Sequence, residues 1–155
     1  MSQVDTLLAT LDTGNDPTAA GNAEPHIIVG ANRFIIVPKE LTRIGVQYDH
    51  NVETVTFDCI RYWDGHDLSA MVVKINYKSA DNITDSYLIT DLTIDTTDAS
   101  IMHFTWTISS DVTRAAGYIA FSICISDRDN PEESSIHWNS EVCNDMYVSP
   151  GIRVD

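Results

Sequence analysis

Between Ile101 and Ser126 the chain alternates apolar and polar side chains twice over. Met102, Phe104, Trp106 and Ile108 share one face of the first run, and Ile119, Phe121, Ile123 and Ile125 share one face of the second. Period-2 alternation of this kind marks strands with one buried side. The polar stretch Ser109 to Gly117 between them predicts two antiparallel strands joined by a loop, placed at the centre of the core. Shorter runs predict strands over 26–29, 33–37, 43–47, 53–60, 71–78, 86–94, 135–139 and 142–148. Val55, Phe57 and Cys59 alternate cleanly, as do Met71, Val73, Ile75 and Tyr77. Turn-like segments separate these runs, among them Asp49-His50-Asn51, Trp63 to Asp67 and Asp127 to Ser134. About eight to ten short strands with no long helix predict an all-β chain, an antiparallel β-sandwich of the immunoglobulin-like kind with a jelly roll as the alternative.

Before the first strand the pattern changes. Val4, Leu7, Leu8 and Leu11 fall at helical spacing and predict one or two turns of amphipathic helix. A helix this short does not hold alone in water, so its apolar stripe needs a partner. Thr13 to Asn22 has the Gly, Pro and small polar content of a flexible linker. The division that follows is an N-terminal arm over 1–32 and a sandwich domain over 33–155. The segment reads either as a frayed tail or as an arm that orders only on a neighbouring subunit, and in the second reading Val4, Leu7, Leu8 and Leu11 are its candidate docking residues.

Length and charge narrow the field of partners. A chain of 155 residues builds one core. With 23 acids against 9 bases its formal net charge is -14, and no basic cluster interrupts it. Such a chain repels phosphate backbones and anionic lipid, so neither nucleic acid nor a membrane is an expected partner. The N-terminus shows no basic region followed by an apolar run, and no stretch approaches a membrane span, which predicts a soluble protein made in the cytoplasm. Cys59 falls on an inward face and Cys124 on an outward one, so a bridge between them is not expected, and with Cys143 they read as free thiols.

Candidate chemistry is sparse. His50 and His66 sit in loops beside acids, as a general base or metal ligand would, but acids surround every position in a chain of this charge. His103 lies mid-strand opposite the apolar face and His137 beside Trp138, and both read as surface or interface histidines. The run Asp127-Arg128-Asp129-Asn130-Pro131-Glu132-Glu133 gathers oxygens that calcium would use. It lacks the central glycine and the closing glutamate of a helix-flanked site, and reads as a solvated hairpin loop. No phosphate-binding glycine loop, zinc-protease signature or nucleophile elbow occurs. The expectation is therefore a protein that is not an enzyme, with no cofactor and no metal. Trp63 and Trp138 are the candidate exposed aromatic contacts. Trp63, in Arg61-Tyr62-Trp63-Asp64-Gly65, either stacks on sugar rings or closes one end of the core, and the second reading fits a plain sandwich better.

Two longer runs carry a likeness. Arg33-Phe34-Ile35-Ile36-Val37-Pro38-Lys39-Glu40-Leu41-Thr42-Arg43-Ile44-Gly45-Val46-Gln47-Tyr48-Asp49-His50-Asn51 is one. Thr54-Val55-Thr56-Phe57-Asp58-Cys59-Ile60-Arg61-Tyr62-Trp63-Asp64-Gly65-His66-Asp67-Leu68-Ser69 is the other. Together with Ile75-Asn76-Tyr77, Phe104-Thr105-Trp106, Gly117 to Phe121 and Val148-Ser149-Pro150-Gly151-Ile152, they resemble small structural proteins of tailed bacteriophages and prophages of Gram-positive gut bacteria. The resemblance implies an immunoglobulin-like virion module: a capsid decoration or head-fibre protein on the outer surface of the head, or alternatively a tail or baseplate component. A carbohydrate-binding module for host adhesion is the reading from a different class. The implied partners are the phage major capsid protein or another virion protein and further copies of the chain, and the implied location is the virion. The resemblance supplies no catalytic residues.

Overall fold

The computed structural model describes residues 24–154, and the strands there follow the alternation of the sequence. Five strands form one sheet in the order β2 (Ile35–Ile36), β1 (Ile27–Val29), β4 (Thr54–Ile60), β10 (Ile101–Thr107) and β9 (Thr93–Ile94). Four form a second in the order β13 (His137–Asn139), β12 (Ala120–Ser126), β7 (Val72–Lys78) and β8 (Thr84–Leu88). A three-stranded sheet joins β11 (Gly117–Tyr118), β14 (Tyr147–Ser149) and β3 (Arg43–Val46), and β5 (Tyr62–Trp63) pairs with β6 (His66–Asp67). Five of these fourteen strands are two-residue pairings and nine are longer. The fold is an all-β sandwich, and its described α-helix is the single turn α1 (Ser110–Thr113).

The hairpin expected between Ile101 and Ser126 does not form. β10 pairs with β4 and β9, whereas β12 pairs with β7 and β13, and α1 lies on the crossing between the two sheets. The reason lies in the two apolar faces. Side by side in one sheet, both would point the same way and need a third surface to cover them. On opposite sheets each covers the other. Trp106 lies 5.4 Å from Phe121 between ring centroids, Phe57 lies 6.1 Å from Phe121, and Tyr77 lies 5.7 Å from Trp106. The predicted inward residues Met102, Phe104, Trp106, Ile108, Ile119, Phe121, Ile123 and Ile125 are all buried. Burying each such side chain contributes about 1.5–3 kcal/mol against leaving it exposed.

Three further expectations are corrected by the pairing. The run over 86–94 divides, because β8 belongs to the four-stranded sheet and β9 to the five-stranded one. The sandwich is not wholly antiparallel, since β1 runs parallel to β4 and β14 parallel to β3. The sandwich also begins before residue 33: β1 is an interior strand between β2 and β4, with Ile27 and Val29 buried and Ile28 turned outward. Asp64-Gly65 joins β5 to β6 with positive φ at both residues, 47° and 80°, as a tight primed hairpin turn requires. Gly151 holds the end of the chain against β3, where a Cβ would collide with the carbonyl oxygen of Gln47. Cys59, Cys124 and Cys143 are free and buried, and burial pushes the Cys59 thiol up to about 12. Among the described residues no helix is long and apolar enough to cross a membrane.

Candidate functional site

Strand register aligns one row of side chains across the outer face of the five-stranded sheet. Ile36 on β2 pairs with Ile28 on β1, Ile28 with Asp58 on β4, Asp58 with His103 on β10, and His103 with Thr93 on β9. The row is apolar at the β2 edge and ionisable at its centre. On the apolar side Ile28 is 47 % exposed and Ile36 57 %, and Phe34, also 57 % exposed, falls on the side of Ile36 by alternation. Single exposed apolar residues are ordinary, but three together on an edge hairpin form a patch.

The ionisable centre is a chain of short hydrogen bonds. Asp58 Oδ1 lies 2.7 Å from the Nδ1 of His26, just before β1, and 2.7 Å from the Nδ1 of His103. The other nitrogen of His103, Nε2, lies 2.7 Å from Asp95 Oδ1. Asp95 is locked by its own loop, because its Oδ2 accepts from the Thr97 N–H, the Thr97 hydroxyl and the Asp98 N–H at 2.8–3.0 Å. Those bonds, with that from His103 the strongest, hold Asp95 well below the usual carboxylate range. Burial works against charge on His103, but its bonds to Asp95 and Asp58 and their negative charges outweigh it and raise its pKa. With both ring nitrogens facing carboxylate acceptors, His103 satisfies them only as the doubly protonated imidazolium. The rings of His26 and His103 meet edge to face at 6.0 Å.

The residues singled out from sequence fall elsewhere. Val4, Leu7, Leu8 and Leu11 lie outside the described residues. Trp138 is not an exposed contact: it is 2 % exposed, packs edge to face on half-buried Trp63 at 6.0 Å, and the Arg33 guanidinium sits 4.6 Å from the Trp63 ring and 5.3 Å from the Trp138 ring. The cation lies over the Trp63 ring, Trp138 is buried and Trp63 packs against the core, so the pair closes one end of the core. His50 Nδ1 accepts from the Ser110 N–H at 2.9 Å, and His66 belongs to the β5–β6 hairpin. His137 Nε2 lies 3.0 Å from Cys124 Sγ, but burial raises the Cys124 pKa and so disfavours the thiolate a nucleophile needs. In the acidic loop Asp127 accepts from the Ser135 N–H and hydroxyl, at 3.0 and 2.6 Å, and braces the hairpin.

The pattern of alternation puts Asp58 and His103 on outward faces one at a time. That they stand opposite each other depends on a register spanning 45 residues, which no local pattern carries. No protein-family model matches the chain, and no curated protein matches it. The class that fold and face define is therefore an all-β sandwich with a half-apolar, half-ionisable outer sheet face.

Proposed function

We propose that this chain is a non-enzymatic structural protein of a tailed-bacteriophage particle, a capsid decoration or head-fibre protein that binds the outer surface of the head. The resemblance of the segments between Arg33 and Ile152 motivates the reading. The observation that carries it furthest is the exposed trio Ile28, Phe34 and Ile36 on the β1–β2 edge. A short edge strand bearing large apolar side chains is a liability on a free protein and an anchor on a bound one. The major capsid protein is the partner assigned to this patch. Many copies on one shell let weak single contacts hold through avidity.

Gold-labelled antibody microscopy of particles from an induced lysate tests the location. Dense, even label over heads is the expected result. Label confined to the tail tip replaces decoration with a tail or baseplate role, and unlabelled particles overturn the virion reading altogether. Phe34→Ser with Ile36→Asp tests the patch: occupancy of particles is expected to fall at least about tenfold, the equivalent of about 1.4 kcal/mol, with the far-UV spectrum unchanged.

A further inference from the structure

Three separate segments deliver metal-ligand atoms to one point on the outer face. His26 arrives from the chain entering β1, Asp58 from β4 and His103 from β10; one ligand atom from each lies within 4.8 Å of the others, and both Nδ1 atoms stand 2.7 Å from Asp58 Oδ1. We propose that these three atoms bind one divalent transition-metal ion of the zinc class, with water completing the coordination and Asp95 acting as the positioning residue for His103.

The donor set selects the ion. Two imidazoles and one carboxylate suit zinc and its neighbours, whereas calcium and magnesium want more oxygens than the cluster offers. Zinc at about 2.0–2.2 Å from each ligand sets neighbouring ligand atoms roughly 3.3 Å apart in a tetrahedron. Each nitrogen now stands 2.7 Å from the shared oxygen, so widening each N–O pair by about half an ångström brings it to that spacing, and side-chain rotation of the two imidazoles sets the distance between them. The ion takes the place of the protons that otherwise bridge Nδ1 to Oδ1. The surroundings are already those of a metal site. A ligating histidine characteristically donates its second N–H to a carboxylate that fixes its tautomer and ring plane. Asp95 does this for Nε2 of His103, with its other oxygen saturated by Thr97 and Asp98. Side-chain exposures of 35 %, 31 % and 24 % for His26, Asp58 and His103 leave the seat open to an ion from solvent. Bound there, the ion clamps the root of the N-terminal segment to the two central strands of the sheet. The assignment holds whatever the neighbouring apolar patch binds.

The test uses the untagged full chain, stripped with EDTA, desalted and dialysed against Zn(II), with Co(II) as a spectroscopic probe. Expected are about one ion retained per chain, a higher Tm with zinc, and a Co(II) visible band of the intensity that four or five ligands give. His26→Ala and Asp58→Asn are expected to lose the retained ion and the Tm shift. Asp95→Asn is expected to weaken binding about 10–100-fold, and His66→Ala to leave it unchanged. Wild-type protein that retains no Zn(II) and shows no Co(II) band overturns the site without recourse to any variant. Retention that survives both His26→Ala and Asp58→Asn, with circular dichroism confirming folded variants, overturns it equally.

Discussion

Asp67 shows how much one carboxylate can organise. Its two oxygens receive the Arg61 guanidinium through Nε and an Nη at 3.1 Å each, and Oδ1 also accepts from the Ser69 N–H and hydroxyl. The bond from Arg61, then those from Ser69, pull its pKa down to about 2. Arg61 in turn reaches the Ala99 carbonyl at 3.2 Å, tying the β5–β6 hairpin to the loop that holds Asp95. A carboxylate with a depressed folded pKa stabilises the fold above its unfolded pKa of about 3.9. That contribution is lost as pH falls through about 2. Asp67→Asn is therefore expected to lower Tm at pH 7, with the gap from wild type closing between about pH 4 and 2. A gap that stays constant in differential scanning calorimetry across that range would assign the effect to packing. The Asp64-Gly65 turn is legible in the sequence, because primed turns favour that dipeptide. The grip of Arg61 on Asp67 is not, since charged neighbours occur throughout so acidic a chain.

At the level of elements, alternation identifies which side of a strand is buried but not which strand lies beside it. Every inward residue read from 101–108 and 119–125 is buried, yet β10 and β12 lie in different sheets. Pairing is decided by which surfaces cover one another, and that is a property of the whole core. The same limit hides the cluster of His26, Asp58 and His103, whose members are unremarkable until β1, β4 and β10 are laid in register. Phe121 is where the two sheets meet, touching both Phe57 and Trp106. Phe121→Ala is expected to cost about 3–5 kcal/mol, measured by urea denaturation. A loss below about 1 kcal/mol would match the boundary contact of a strand lying beside β10 and not the facing one across the core.

At the scale of the molecule, a net charge of -14 acts between copies. Like charge keeps free chains apart at low ionic strength, and salt screens it within about 10 Å at 0.1 M. If copies associate through the apolar β1–β2 edge, sedimentation velocity is expected to show more association at 0.5 M salt than at 0.02 M. The opposite trend would mean that ion pairs hold the copies together. The placement of β1 has a mechanical consequence as well. A strand interior to its sheet and parallel to β4, when tugged from the N-terminal end, loads its hydrogen bonds in shear, all at once, where an edge hairpin would unzip one bond at a time. Tension on the leading segment thus enters the body through His26, just before β1, and is shared by the bonds of β1 to β2 and β4 on either side.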